Sequence, residues 1–317
     1  MIRSFTKETL VKGRPAHLEC LEIAGQTFSL SRGLATVLQL EDDWYEDLTD
    51  PEGVISTVKS ELPTVDIFTF WQRLPDVEPR FTFPMESETL AVLRIENFEY
   101  WWNKQIKSRT RNLIRKAEKA GVEVREAAYD DDFVRGMTDI FNETPIRQGR
   151  RFWHYGKSFE TVKSQFSRYL FREDLIGAYY CGALVGFLML GNAGRYAVTG
   201  QIISKIEHRE KAVNNALIAK AVELCARKRI EYLVYSFWDT GSSLTEFKRR
   251  CGFEKVNIPR YYLPLTLRGR AIVALGLQRG WRRLIPGALE RRLRAVRTAW
   301  LTGGSVLAGR TITDADG

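Results

Sequence analysis

The chain has few of the residues on which metal and redox chemistry depend. It contains only four cysteines and three histidines among 317 residues, and no two cysteines form a Cys-x-x-Cys pair. Cysteines scattered in this way predict buried free thiols in a reducing compartment and argue against a disulfide framework. The histidines are equally dispersed, so we expect no metal site.

Long hydrophobic runs are absent as well. The longest ones, residues 183–190 and 271–277, are far shorter than the roughly 20 residues that a membrane-spanning helix needs. The beginning of the chain lacks the apolar stretch of a signal peptide, and we therefore expect a cytoplasmic protein. No Gly-x-Ser-x-Gly, P-loop or His-Glu-x-x-His motif occurs, so no sequence motif supports a hydrolase, NTPase or zinc-protease function.

The positive charge of the chain is concentrated at its C-terminal end. The net charge is +9, but residues 268–317 alone hold ten arginines against three acidic residues. Residues 1–267 are nearly neutral, with 38 basic and 36 acidic side chains. A nearly neutral body argues against a nucleic-acid-binding protein.

Residues 287–300 have the pattern of a basic amphipathic helix. Its apolar stripe consists of Leu289, Leu293, Val296 and Trp300, and four arginines lie largely off this stripe. Such a pattern is typical of helices on anionic membrane surfaces, so we expect a peripheral membrane contact through residues 271–300. A helix docked on the body with its arginines in water, and a tail that binds nucleic acid, are the alternatives.

The pattern of hydrophobic residues predicts a mixed fold of strands and helices. In the first part we expect strands at 65–71, 90–95 and 122–125 and helices at 100–120 and 131–142, with Ser108 as a cap and Gly121 as a stop. From there we expect a helix at 158–171, a hairpin at 175–191, strands at 195–204, 230–236 and 260–265, and helices at 208–226 and from 243. A helix between two strands of one sheet favours a parallel pair, so the class is α/β (α+β) with a mixed sheet flanked by helices.

This order of elements resembles the core of the GNAT acyltransferase superfamily. The pairs Phe247-Lys248 and Gly252-Phe253 look more like the FemABX and BioF2-like branch, which attaches aminoacyl or acyl groups to amines. The resemblance implies a GNAT-like acyltransferase domain at 136–267, followed by the basic helical tail at 268–317. Residues 1–135 would form an N-terminal α/β half, either a degenerate GNAT-like unit or an unrelated one.

The resemblance also implies a donor site. In GNAT enzymes a loop of the form Arg-x-x-Gly-x-Gly/Ala opens a helix whose backbone N–H groups hold the pyrophosphate of acyl-CoA. Here Arg209 keeps its place but Ala212 and Asn214 replace the glycines, and a Cβ crowds the backbone. Donor contacts are expected from Arg209, Ala212, Asn214, Asn215 and Phe247. Acyl-CoA, an acyl carrier protein and aminoacyl-tRNA remain open as donors, and a plain core helix at 208–226 is the alternative.

Two residues are candidates for catalysis. The resemblance implies that Lys248 stabilises charge on the reacting carbonyl or protonates the leaving group. The alternative is a surface lysine on a solvated helix face. Asp239 follows the second core strand, where it could accept the proton of the attacking amine, or else Asp239 or Ser243 simply caps the next helix.

A loop that combines cations with aromatic rings is the candidate acceptor site. It consists of residues 147–155, from which we expect contacts by Arg147, Arg150, Trp153, His154 and Tyr155, with Tyr261 at the border of the cleft. Such a loop suits an anionic acceptor, whereas a lone histidine is more often structural and Tyr261 could equally be part of sheet packing.

The sequence thus predicts an N-acyltransferase that moves an acyl group from a thioester donor to an amine on a small molecule. A sugar, a nucleotide-sugar or a cell-envelope precursor is the expected acceptor. An aminoacyl-tRNA-dependent ligase and a non-catalytic, membrane-associated GNAT-like binding module are the competing interpretations.

Overall fold

A computed structural model describes residues 2–11, 14–147, 149–168, 170–239 and 242–278. The predicted amphipathic helix at 287–300, and most of the predicted tail, lie outside these residues. No helix in the described part of the chain is long and apolar enough to cross a membrane.

Fourteen strands and eight α-helices are assigned in the described residues. The strands are β1 (Arg3–Val11), β2 (Arg14–Ile23), β3 (Gln26–Arg32), β4 (Thr36–Leu40), β5 (Ile67–Trp71), β6 (Met85–Arg94), β7 (Glu123–Ala127), β8 (Ile146–Arg147), β9 (Arg150–Arg151), β10 (Glu173–Tyr180), β11 (Ala183–Ala193), β12 (Tyr196–Ser204), β13 (Tyr232–Phe237) and β14 (Glu254–Pro264). The helices are α1 (Pro51–Glu61), α2 (Phe98–Tyr100), α3 (Ser108–Lys119), α4 (Asp131–Asn142), α5 (Phe159–Phe166), α6 (Val213–Arg227), α7 (Ser243–Arg250) and α8 (Leu267–Ala274).

Twelve of the strands form one mixed sheet. Their order is β1-β2-β3-β4-β5-β14-β6-β13-β12-β11-β10-β7, and the short strands β8 and β9 pair only with each other. The pairs β4–β5 and β12–β13 are parallel, and the other neighbours are antiparallel. Each parallel pair is joined by one crossover helix, α1 in the first case and α6 in the second.

Two runs of the chain repeat the same arrangement. The order β2-β3-β4-α1-β5 matches β10-β11-β12-α6-β13 in strand direction and neighbour relations. Each run is followed by a strand that pairs with the other run. Strand β6, which follows the first run, pairs with β13, and β14, which follows the second run, pairs with β5. In addition, β7 from before residue 135 pairs with β10. The predicted division at 135 stays a prediction, and strands from both sides of it share one sheet.

The core lies in two layers, one on each face of the sheet. Alternate residues of β11 show this, since Leu188 packs with α3 and α6 whereas Phe187 and Met189 pack with α4 and α5. Around β5 both faces are covered as well, and all five of its residues are buried. The strand predicted at 65–71 from its alternation and its β-branched and aromatic residues is confirmed as β5 at Ile67–Trp71.

Several predicted elements are confirmed. Helix α4 spans the predicted residues 131–142, and the Asp130 carboxylate caps it by accepting from the Phe133 amide at 2.8 Å. The hairpin β10–β11 turns at Cys181 and Gly182, which have φ angles of 50° and 80°. Two left-handed residues in succession give a turn that matches the twist of the strands.

Two predicted helices have different bounds. The helix expected at 100–120 is a π-helical turn at Trp101–Gln105, then a break, then α3, and Ser108 does not cap α3. The Arg111 guanidinium satisfies the carbonyls at the break, donating to Trp102 and Ile106 at 2.9 and 2.7 Å. The helix expected at 208–226 begins only at Val213, because Ala212 takes a left-handed φ of 57° after a 3-10 turn.

Tyr261 on β14 anchors the joining strand in the core. Its hydroxyl accepts from the amides of Arg80 (3.0 Å) and Phe81 (3.3 Å) and donates to Gln72 Oε1 at 2.9 Å. We expect Tyr261→Phe to lower the free energy of unfolding by about 1–3 kcal/mol, since it leaves buried polar groups unsatisfied. Urea unfolding measures this. Tyr155→Phe, at a ring that is 47% exposed, should change it by less than about 0.5 kcal/mol, and equal losses would contradict the assignment.

Candidate functional site

A cleft opens where the parallel strands β12 and β13 separate. Their ladder covers only Tyr196–Val198 against Tyr232–Val234. Beyond it both strands carry a bulge, at Gly200 in β12 and at Ser236 in β13, and Ser236 has a φ of 52°. Bulges bend a strand locally, and the two strands part at their carboxyl ends, where open α/β sheets bind ligands.

Two cavities of about 910 and 500 Å³ meet in this cleft. They share a border formed by Arg150, Gln201, Ile202, Tyr235 and Leu244. The larger one, which we call the acidic cavity, is lined by the carboxylates of Glu41, Asp42, Asp43 and Asp239. The smaller one, the basic cavity, is lined by Arg147, Arg150, Arg151, Lys205 and Arg209, and by no carboxylate from the described residues.

Lys248 on α7 lies in the wall of the acidic cavity. It is only 3% exposed, so the alternative of a solvated surface lysine is wrong. The Nζ atom donates to the carbonyl oxygen of Phe237 at 2.7 Å and lies 4.6 Å from the centre of the Tyr235 ring. Burial lowers the pKa of Lys248 to about 8, against a smaller opposing effect of Asp239. An amine with this pKa can hold or release a proton near neutral pH.

Asp239 lines the acidic cavity from the loop before α7. Its carboxylate makes no hydrogen bond or ion pair with the described residues, while its backbone oxygen accepts from the hydroxyls of Ser242 (3.3 Å) and Thr245. The cap of α7 is Ser242, whose Oγ accepts from the Thr245 amide at 3.1 Å. Neither Asp239 nor Ser243 caps the helix, and this alternative is wrong.

The start of α6 opens into the basic cavity. Val213, Asn214 and Asn215 line it together with Arg209 and Ala212, and no side chain caps the helix. Uncapped N–H groups and the helix dipole favour an anion at this position. The Oδ1 atom of Asn214 is buried without a hydrogen-bond partner among the described residues.

Phe247 completes the wall of the basic cavity from α7. Because Lys248 lines the acidic cavity, two consecutive residues of one helix face two different cavities. All five residues that the resemblance assigns to the donor therefore lie together at one cavity.

Comparison with known proteins places this geometry in a known fold. No family model and no curated protein matches the chain. FemX is similar in structure, with a TM-score of 0.55 and 10% identity over 86% of this chain and 90% of FemX. The C-terminal domain of a putative lysylphosphatidylglycerol synthetase from Agrobacterium fabrum gives 0.53 and 12%, over 86% and 88%. L-PGS from Bacillus licheniformis gives 0.54 and 11%, over 81% and 84%.

The chain has a GNAT/FemABX-like fold. The resemblance predicted from the order of elements and from residues 247–253 is thereby confirmed at the level of the fold. In this chain both cavities lie between the separated pair β12–β13 and helix α7, and the smaller one also reaches the start of helix α6.

The structure does not bring the predicted acceptor loop together at this cleft. Arg147 lines the basic cavity, but its guanidinium is bound to Glu143 Oε2 (2.7 Å) and to the carbonyls of Ser204 and Ile140. Arg150 reaches both cavities and has no hydrogen-bond or ion-pair partner among the described residues. Of the predicted acceptor residues, Arg150 is the one whose charge is available there.

The other predicted acceptor residues lie outside both cavities. His154 is 1% exposed, stacks on Phe141 at 4.3 Å and lies 3.1 Å from the Nζ atom of Lys157. Burial, aided by Lys157, lowers the pKa of His154 to about 3, so the imidazole is a neutral core group and not a base. Trp153 and Tyr155 are exposed beside it, and Tyr261 belongs to the core. Their placement gives no support to a substrate contact.

An acidic loop was missed by sequence reasoning as part of the site. Residues 41–45 follow β4 and form the wall of the acidic cavity opposite α7. Trp44 packs on Trp71 and Phe237 at 4.8 and 5.5 Å, and Tyr45 lies so close to Gly191 that a Cβ there would be 2.7 Å from its hydroxyl. The run of acids and aromatics is visible in the sequence, but nothing in it indicates strands more than 150 residues away.

The pKa of Lys248 has a consequence for stability. Between pH 8 and 10.5 the unfolded chain binds more protons at this residue than the folded chain, so stability should rise with pH in this window. We expect wild type to gain about 1 kcal/mol relative to Lys248→Met between pH 7 and about 9. Chemical unfolding at several pH values measures it. Lys116→Met on the exposed face of α3 is the control, and parallel curves for wild type and Lys248→Met would refute the assignment.

Proposed function

We propose that this protein is an N-acyltransferase. The donor binds in the basic cavity, the amine acceptor binds in the acidic cavity, and the acyl group is transferred at their shared border. The observation that carries this proposal is the contact of a cavity lined by carboxylates with a cavity lined by cations, beside a buried lysine. The likeness in fold to FemX and to a lysylphosphatidylglycerol synthetase domain supports it at the level of acyl-type transfer.

The donor should carry a phosphate group in addition to its acyl group. Arg150, Arg151, Lys205 and Arg209 surround the uncapped start of α6, and this combination suits a pyrophosphate or phosphodiester. Acyl-CoA, the phosphopantetheine arm of an acyl carrier protein and the end of an aminoacyl-tRNA share this chemistry. We place acyl-CoA first, because its pyrophosphate suits the cations around the uncapped start of α6.

The acceptor should be an amine. Four carboxylates line the acidic cavity. Three of them are in ion pairs within the protein, with Lys7, Arg168 or Arg260 as partners. The Asp239 carboxylate has no such partner among the described residues and can attract a protonated amine. Among the expected acceptors this favours an amino sugar or another amine without phosphate near its amino group over a nucleotide-sugar. The predicted anionic acceptor contacts are not part of this proposal, since only Arg150 of that loop is available in the acidic cavity.

The proposed reaction has one bond formed and one bond broken. Asp239 or a water accepts a proton from the bound ammonium, and the free amine attacks the carbonyl carbon of the thioester or ester. Lys248 stabilises the charge that develops on the carbonyl oxygen. Collapse of the tetrahedral intermediate forms the amide and breaks the C–S or C–O bond. Lys248 donates its proton to the leaving atom, the nitrogen gives its second proton to a water, and Lys248 is protonated again from solvent. The acyl group never bonds to the protein.

Donor binding is tested by thermal unfolding with acetyl-CoA, long-chain acyl-CoA and free CoA. A ligand that binds only the folded state raises the melting temperature by mass action, and we expect one acyl-CoA to do so. Arg209→Gln should weaken this binding by roughly tenfold, whereas Arg109→Gln on α3 should not. No shift with any of the three would exclude CoA donors. The same titration with an aminoacyl-tRNA would then test the ligase interpretation.

Catalysis is tested by the release of free thiol from the donor that binds. Lys248→Ala should lower kcat by roughly 10²–10³-fold, because it removes the charge that stabilises the oxyanion. Lysine must be protonated for this role, so the wild-type rate should fall as pH rises through about 8. Lys248→Arg, which stays charged, should retain part of the rate without this decline. If Lys248→Ala retained the effect that the wild-type protein has in the cell, Lys248 would not be catalytic, and the non-catalytic binding module would be favoured instead.

A further inference from the structure

A patch of exposed leucines and arginines lies on α8 and on the turn between β3 and β4. Leu267 is 82% exposed, Leu275 is 65% exposed and Leu34 is 53% exposed. The Arg268 guanidinium donates to the Leu34 carbonyl at 2.7 Å and lies 3.8 Å from the Asp66 carboxylate, so the helix and the turn form one surface. With the exposed Arg270, these five residues are called the leucine–arginine patch.

The orientation of α8 is held by its buried side. Ile272 packs in a cluster with Ala35, Ile67 and Tyr262 under the helix. Thr266 Oγ1 caps α8 by accepting from the Gly269 amide at 3.0 Å, and a Cβ at Gly269 would collide with the backbone of Asp66. The close contact leaves the helix little freedom to rotate, and the leucines stay on the outer side. Exposed apolar side chains grouped in this way mark an interaction surface.

We propose that the leucine–arginine patch docks on an anionic lipid bilayer. Leucine side chains gain free energy by leaving water for the acyl region, and the arginines beside them meet the lipid phosphates. The chain that follows Gln278 adds charge of the same sign, with eight arginines and three acidic residues in 279–317. A nucleic acid would use the arginines but would leave the leucines in water, so a bilayer accounts for both.

Docking at the patch would leave the cleft free. The patch lies at the beginning of β4 and the acidic loop follows its end, and five residues of strand separate them by about 17 Å. Membrane binding and acyl transfer are therefore separable, and this inference does not depend on the proposed function.

The test is sedimentation of the full chain with vesicles of phosphatidylcholine alone or mixed with phosphatidylglycerol. We expect binding to the anionic vesicles, weakened by added salt. Leu267→Asp/Leu275→Asp should lower the partition coefficient by roughly tenfold or more. Arg268→Gln/Arg270→Gln should lower it by roughly fivefold or more, mainly through Arg270, because Arg268 is already paired with Asp66.

Two matched variants serve as controls. Val77→Asp/Met85→Asp places the same two charges at other exposed apolar residues, and Lys116→Gln/Lys119→Gln removes two exposed cations from α3. Both should bind vesicles as wild type does. The proposal would be overturned if the patch variants bound vesicles as well as wild type does, or if the protein bound tRNA but not vesicles. Unchanged thermal unfolding of the variants ensures that a loss of binding is not a loss of fold.

Discussion

The cleft depends on the insertion of β14 between β5 and β6. Helix α7 leads into β14 through three residues, Cys251, Gly252 and Phe253, so the position of Lys248 is set by the register of this strand. Gly252 ends the helix with a φ of 90°, and Phe253 is buried and donates its amide to the Lys248 carbonyl at 3.1 Å. A second tie comes from Trp101, whose indole N–H donates to the Cys251 carbonyl at 3.0 Å. Residues 247–253, which resemble the FemABX pattern, therefore also fix the position of helix α7 relative to strand β14.

The buried lysine is costly for the fold, and the way in which it is accommodated is informative. No carboxylate contacts its Nζ atom among the described residues; a backbone carbonyl and an aromatic face take that place. These partners stabilise a charge less than a contacting carboxylate would, so the pKa stays low. A full ion pair would hold the proton permanently. The arrangement suits a group that must give its proton away, and perturbed ionisable groups in clefts are typical of functional sites.

Local patterns predicted much of the fold, and non-local pairing decided the rest. Helix α4 and the hairpin β10–β11 were recognisable because capping and turn residues mark their ends within a few positions. The strand exchange of β6 and β14 joins residues about 170 apart, and no periodicity carries such information. The same holds for the acidic loop, whose composition was evident but whose neighbours across the cleft were not.

Side-chain composition also proved a poor guide to which charges are available. The loop at 147–155 has the cations and aromatic rings of a binding site. The Arg147 guanidinium, however, donates its hydrogen bonds to Glu143 and to backbone carbonyls, and the His154 ring is buried in the core. A sequence shows the residue types but not their internal partners. Lys248 lies on α7, whose geometry directs its side chain into the wall of the acidic cavity, whereas Arg209 lies in the 3-10 turn before α6.

The two replaced glycines of the donor loop are not equivalent. Ala212 occupies a left-handed conformation, which costs an alanine about 1–2 kcal/mol and which a glycine would adopt freely. Asn214 is in the regular first turn of α6, where no glycine is required by the backbone. There the replacement exchanges bare backbone for an amide whose oxygen is buried without a partner among the described residues. An acyl donor with an N–H or O–H group could form a hydrogen bond to this oxygen. We therefore expect the replacement of glycine at this position to change which acyl donor binds rather than to abolish binding.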